Sequence, residues 1–330
     1  TATPTRTDGS DILKLCDNNL IYQQDLFDGV KAEALCPFSY FGIFDKEVDY
    51  DHLPWRNGKF DPEKLSNKLA TKGRAKHVLT EWKVKSQDVS LAFCVSRKHA
   101  DYMADYFNQQ GITAASVHSD SSLTRSEALE KLNNGDIKIL FSVDLFNEGV
   151  DLPKIDTVLM LRPTESKILF LQQMGRGLRK SEGKDRLIIL DFVGNHHSFL
   201  NRPEMLFASI LDGPQNRRKM VDLAKNANKL LPDGCYVNFD LEFIDFLTSI
   251  SQDELDIQYD RLKETLGRRP TYTEFYNAGA SLEKLRRNRG SWWEFIDSKG
   301  DLTPDELEVL EGHLQWFKDL AATKTSRCHK

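Results

Sequence analysis

Eight residues near the middle of the chain, Gln172-Gln173-Met174-Gly175-Arg176-Gly177-Leu178-Arg179, concentrate groups suited to a polyphosphate. Arginine stays charged and presents a planar fork of donors that matches phosphate oxygens. Residues three apart share one side of a helix, so Arg176 and Arg179 would face the same way, behind Gln172 and Gly175. Apolar residues recur at helical spacing from Ser166 to Lys180 (Ile168, Leu169, Leu171, Met174, Leu178), which predicts a helix over that span. A strand-like run, Thr157 to Leu161, precedes it, and another, Arg186 to Val193, follows. The competing reading of the octet is a basic surface helix with ordinary solvated arginines.

A second candidate lies upstream. Leu140 to Pro153 begins as a buried strand and breaks into a loop containing Gly149, with carboxylates on both sides, Asp151 among them. Glycine permits close backbone approach. A carboxylate just past the end of a parallel strand lies where open α/β sheets bind ligands.

Together these segments carry a resemblance. The octet resembles motif VI of superfamily-2 helicases (Q-x-x-G-R-x-x-R), and the loop resembles their motif V. Ala92 to Ala100 resembles motif IV, Val117-His118-Ser119 resembles the short motif after it, and Thr1-Ala2-Thr3-Pro4 resembles motif III, which closes the first RecA-like domain. The five fall in family order between Thr1 and Val193. One position departs: the family usually has threonine before the motif V aspartate, and here Val143 stands there. Ser142 is the candidate substitute, although a one-residue shift on a strand reverses the direction of a side chain.

The resemblance implies an ATP-driven helicase acting on nucleic acid, DNA ahead of RNA. ATP would sit between two RecA-like domains. Arg176 and Arg179 would reach its γ-phosphate as arginine fingers, Gln172 would orient near that phosphate or the attacking water, and Gly149 with Asp151 would line the ribose. Ser96, Arg97, His118 and Ser119, with Ser142, would hold nucleic-acid phosphates on the opposite edge. No G-x-x-x-x-G-K-[ST] occurs and no Asp-Glu box precedes Thr1, so the phosphate cradle and magnesium-holding carboxylate of a P-loop ATPase are missing here. The expectation is half of an ATP site. ATP and Mg2+ would bind in the intact protein, with its first RecA-like domain as partner. The fragment alone would bind neither and turn nothing over.

Composition fits a soluble, cytoplasmic, multidomain protein. The 330 residues suggest about two domains. No apolar run approaches the ~18 residues of a membrane helix, and no signal peptide opens the chain. The five cysteines are scattered without metal spacing, and His196-His197 reads as surface rather than metal ligands. The net charge of −5 does not advertise nucleic acid, but binding depends on local stripes rather than totals. One stripe runs from Arg268 to Arg289 and includes Lys284, Arg286, Arg287 and Arg289, with Tyr272, Phe275 and Tyr276 interleaved and Trp292-Trp293 following. Aromatics among cations suit base stacking beside phosphate contacts. The alternative is a small helical core of aromatics with solvated arginines around it.

Strands alternating with helices predict an α/β fold: a RecA-like parallel sheet wrapped by helices, followed by a mostly helical C-terminal domain. The strands are expected at 20–22, 38–44, 90–95, 113–118, 138–143, 157–161 and 186–192. Helices are expected at 26–35, 62–85, 98–110, 124–133 and 166–180. Thr124 with Glu127 has capping-box spacing, Gly111 is a C-cap candidate, and Pro232-Asp233-Gly234 marks a turn. The domains divide as 1–45, the end of the first RecA-like domain and its crossover; 46–212, the second RecA-like domain; and 213–330, a helical accessory domain. Leu266 to Pro270, Ser291-Trp292-Trp293 and Gly300 to Thr303 resemble the helical domain of bacterial helicases that also carry a phospholipase-D-like nuclease domain, which would make a nuclease domain a further partner. Two rival functions share these motifs: a double-stranded DNA translocase of a restriction-type nuclease, and a non-catalytic nucleic-acid-binding scaffold.

Overall fold

The structure, a computed structural model, describes residues 26–56, 59–143, 154–163, 167–199, 202–207, 217–251, 254–281, 285–286 and 291–309. The segments resembling motif III, the strand expected at 20–22, and Gly149, Asp151, Arg287 and Arg289 lie outside them.

In chain order the elements are α1 (Leu26–Lys31), β1 (Phe38–Phe44), β2 (Trp55–Arg56), β3 (Lys59–Phe60), α2 (Pro62–Leu69), α3 (Lys72–Lys85), β4 (Ser90–Phe93) and α4 (Arg97–Gln109). They continue with β5 (Ala114–Val117), α5 (Arg125–Asn134), β6 (Ile139–Ser142), β7 (Thr157–Met160), α6 (Lys167–Gly175) and β8 (Leu187–Val193). The last are α7 (Arg202–Phe207), α8 (Arg217–Asn226), β9 (Tyr236–Phe239), α9 (Leu241–Ser251), α10 (Glu254–Leu266), α11 (Tyr272–Asn277) and α12 (Trp292–Ser298).

Seven of the described strands form one sheet in the order β5-β6-β4-β7-β8-β1-β9, and all its pairings are parallel. Successive side chains on a strand point to opposite faces, and the two cores divide accordingly. Leu91, Phe93, Leu140, Val158, Met160, Leu187 and Ile189 enter one hydrophobic cluster with residues of α1, α2, α5 and α6. Ala92, Cys94, Ile139, Phe141, Leu159, Ile188 and Leu190 enter the other, with α3 and α4. A parallel sheet covered on both faces reads as near-continuous apolar sequence, as Leu187-Ile188-Ile189-Leu190 does. This is the expected RecA-like α/β arrangement.

Local sequence explains where elements start. Thr124 and Glu127 cap α5 reciprocally, the capping box read from the sequence. Gly135 ends it in a left-handed conformation at φ 82°, which costs glycine little.

The chain divides into two compact units, Thr1–Ser251 and Gln252–Lys330. In the first, β1 pairs with both β8 and β9, so strands from either side of the 46–212 span share its sheet. The strand Tyr236–Phe239 was not foreseen; it lies inside the stretch expected to be helical. Gly42 faces it so closely that a Cβ there would meet the Phe239 ring at 2.4 Å. In the second unit Leu255, Tyr259, Phe275, Phe295 and Ile296 form the core. Capping boxes at Thr271–Glu274 and Ser291–Glu294 open its short helices.

Candidate functional site

The arginine octet adopts a different local structure from the one expected. The helix α6 stops at Gly175, so Arg176 enters a turn and Arg179 forms an isolated antiparallel bridge with Leu35. The two arginines therefore do not share a helix face. The tertiary partner is stronger than the helical spacing: Cys36 N–H donates to the Leu178 carbonyl at 2.8 Å, and the Cys36 thiol faces the Gly177 carbonyl at 3.6 Å. Leu178 is 2% exposed, so this apolar position serves the docking rather than a longer helix.

Lys184 completes the mooring. A turn with Gly183 at φ 76° brings its ammonium back onto the carbonyls of Gly177 and Arg179, the latter at 3.0 Å. Burial lowers the Lys184 pKa, opposed by the neighbouring Cys36 and Asp156. Because Cys36 lies two residues before β1, the arginine segment lies at the amino-terminal edge of the parallel strands.

The opening of α6 is fixed by a buried cation that the sequence reading missed. Arg202, fully buried, lies over the rings of Phe170 and Phe199 at 5.3 and 5.6 Å and pairs with Asp191 of β8 at 3.3 Å. Tyr40 donates its hydroxyl to the same carboxylate at 2.7 Å. Burial pushes the Asp191 carboxyl up, against the pull of Arg202 and Tyr40. Its only advance sign was a lone carboxylate in an otherwise apolar strand. Two residues past Phe170, the Gln172 amide oxygen is buried with no hydrogen-bond partner among the described residues, and neither amide atom of fully buried Gln173 has one. Buried polar atoms without partners are rare and mark strain or an incomplete environment.

The second group gathers at the carboxyl-terminal edge. Ser96 follows β4 and caps α4, accepting from the His99 amide at 3.1 Å, while its hydroxyl lies 2.5 Å from that of Ser66. Arg97 is exposed and ion-paired with Asp120, whose Oδ1 accepts from the Ser119 hydroxyl at 2.9 Å. His118, after β5, is nearly buried. Its Nε2 lies 2.9 Å from Asp101 and its Nδ1 accepts from the Asp120 amide at 3.2 Å. Both imidazole nitrogens are thus engaged in shaping the turn, and Arg97 and Ser119 are the exposed groups. Burial pushes the Asp101 carboxyl up, but hydrogen bonds from Ser116 and His118 and the nearby Arg97 charge hold it below the usual range. Ser142, at the end of β6, is fully buried, and its hydroxyl has no partner among the described residues. It presents no surface for a phosphate.

Beneath this edge lies a second missed network. Arg74 of α3 is fully buried, donating to Asp45 at 2.7 Å and to the Leu161 carbonyl at 3.0 Å, with His99 Nε2 at 3.0 Å. Tyr50 donates to the same Asp45 oxygen at 2.8 Å. Burial and the Arg74 charge keep the His99 imidazole neutral, well below its usual range. By holding His99, Arg74 fixes the first turn of α4, where Ser96 and Arg97 sit.

Arg286 is exposed, in the second unit. His196 packs against Trp55 and Phe60, and its Nδ1 lies 3.0 Å from the Ser198 hydroxyl. No described helix is long and apolar enough to cross a membrane.

Residues 73–181 match the family model described as the helicase conserved C-terminal domain. That match covers α3 to the end of the arginine segment and so includes both candidate edges. The chain is 30% identical over 187 residues to IRC3 of Saccharomyces cerevisiae, a protein named as an ATP-dependent helicase, covering 55% of this chain and 27% of that one. It is 25% identical over 219 residues to UvrABC system protein B of Gloeothece citriformis, covering 63% of this chain and 31% of the relative. The chain thus spans about a third or less of the length of these two curated relatives. Among solved structures, a fragment of a type I restriction enzyme from Vibrio vulnificus YJ016 aligns at 26% identity and a TM-score of 0.45, covering 58% of this chain and 38% of the fragment.

Proposed function

We propose that this chain is the second motor half of an ATP-dependent nucleic-acid helicase, acting on DNA rather than RNA. It works with a first RecA-like domain of the same protein that carries the P-loop and the magnesium carboxylate. The helicase C-terminal domain match over residues 73–181 is the observation that carries this reading. The separation of the arginine segment from the Ser96-Arg97 and His118-Ser119 edge supports a division of labour between nucleotide and nucleic acid.

ATP, when bound between the two RecA-like domains, would supply the phosphoanhydride whose hydrolysis drives the motor. Arg176 and Arg179 offset the negative charge that develops on the transferred phosphoryl oxygens, a role worth roughly 10³–10⁵ in rate. Gln172 orients near the γ-phosphate or the attacking water. Gly149 and Asp151 would line the ribose, as the resemblance to motif V implies. At the other edge Arg97 and Ser119 hold backbone phosphates, which gives grip without sequence reading. Asp120 occupies Arg97 until a phosphate displaces it. The helical C-terminal region links the motor to accessory functions, a nuclease domain among them.

ATP turnover by the intact protein, measured with single-stranded DNA, duplex DNA and RNA, tests the reading. Stimulation by DNA above RNA is the expected result, and turnover indifferent to all three overturns it. Strand displacement beside triplex displacement separates unwinding from translocation.

A further inference from the structure

The second unit contains a cleft that the motor chemistry leaves unused. Tyr272 at the start of α11, Arg286, and Trp292-Trp293 at the start of α12 line an opening of about 650 Å³. That volume is within the ~300–1,000 Å³ typical of small-ligand sites. Its two indoles have different roles. Trp292 packs against Tyr259, Tyr272, Phe275 and Phe295 and belongs to the core. Trp293 is 46% exposed, and Tyr272 is 38% exposed. Nearly half of the Trp293 surface is thus open to water beside the cleft.

The charge of the cleft is one-sided. Among the described residues its lining includes Arg269 and Arg286 and no carboxylate. Arg269 is committed to Glu306 through two bonds of 2.6 and 2.7 Å. Arg286 is exposed and has no ion-pair or hydrogen-bond partner among the described residues. The hydroxyls of Thr271 and Ser291 are used as helix caps. An exposed π face and a guanidinium without a partner among the described residues therefore remain at the cleft.

We propose that this cleft binds single-stranded nucleic acid, with one base stacked on Trp293 and the adjoining phosphate held by Arg286. It is a contact point separate from the Ser96-Arg97 and His118-Ser119 edge. The choice of single-stranded nucleic acid rests on the motor reading above; the cleft itself rests on the second unit alone. Bases in a duplex are stacked on each other, whereas a single strand offers its faces to aromatic side chains, and Arg beside the stack binds the backbone.

The test uses the whole chain and three probes: a 20-nucleotide oligo-dT, an abasic strand of equal length, and a 20-base-pair duplex. Trp293→Leu keeps apolar bulk but removes the π face. It is expected to weaken oligo-dT binding about 5- to 150-fold, the range of one lost stack, and to leave abasic and duplex binding unchanged. Trp293→Phe should retain most of the affinity. Arg286→Gln should weaken both single strands and lower the slope of log affinity against log salt by about 0.7. Wild-type affinity of Trp293→Leu for oligo-dT overturns the proposal, as does an equal loss on the abasic strand. Arg97→Glu, measured alongside, keeps the two readings apart. A loss in Trp293→Leu with none in Arg97→Glu supports the cleft while removing the motor-edge contact, and the reverse pattern removes the cleft alone.

Discussion

Arg74 has no exposed surface and yet retains its charge, because Asp45, Tyr50 and the Leu161 carbonyl close around it. Removing one member of a buried pair leaves the other as an uncompensated charge in a poor solvent, at a cost of about 3–5 kcal/mol. Arg74→Met should therefore lower the unfolding free energy by about that amount in a urea titration, and Asp45→Asn with Arg74→Met should recover part of the loss. A loss below about 1 kcal/mol would show that the network adds nothing. This residue was legible only in part. Ala75, Val78, Leu79 and Trp82 define the buried side of α3, and Arg74 lies on it, an anomaly that periodicity exposes. Its partners at positions 45, 99 and 161 could not be read, because no local pattern encodes contacts so distant in sequence. The same holds for Asp191 and Arg202.

Among elements, the core strands were readable because their apolar runs are bounded by turn residues and separated by amphipathic helices. β4 to β7 fall within the expected spans, β8 ends one residue past its own, and the capping residues of α5 were identified by spacing alone. Two elements departed for physical reasons. The four residues of β9 are too short to declare an alternation and exist because the edge of β1 accepts them. The helix α6 ends early because Leu35 and Cys36 capture the backbone of Leu178 and Arg179. That capture sets the position of the arginines, and Lys184 reinforces it through two carbonyls. Lys184→Gln should therefore lower the kcat of ATP turnover in the intact protein by up to about 10²-fold, the cost of roughly 1 Å of misplacement. The KM for ATP and the melting temperature should stay near wild type. A melting temperature that falls in step with turnover would make Lys184 a general stabiliser rather than a positioning residue.

At the scale of the whole molecule, part of the response to acid is carried by carboxylates paired with arginines. In the second unit, hydrogen bonds from Arg268 and from Thr271 hold Glu274 at about 2, and those from Arg269 and Thr303 hold Glu306 at about 2, against the usual 4.5. A carboxylate whose folded pKa is depressed stabilises the fold above its unfolded pKa and loses that contribution as pH falls toward the folded value. Tryptophan fluorescence from Trp292 should accordingly report a stable second unit above pH ~5 and progressive loss between about 5 and 2. Glu306→Gln should flatten part of that dependence; a profile unchanged by the substitution would remove Glu306 from the response.

Arg176 and Arg179 are proposed to act on an ATP site completed by another domain. Steady-state ATP turnover of the intact protein with single-stranded DNA tests it most directly. These groups are proposed to meet charge that develops only in the transition state, so their loss belongs in kcat rather than in nucleotide binding. Arg176→Ala and Arg179→Ala should each reduce kcat by roughly 10³-fold or more with ATP affinity little changed. Arg179→Lys should fail to restore it, since a point charge does not replace the planar fork. Turnover at the wild-type rate in either alanine variant would contradict the account.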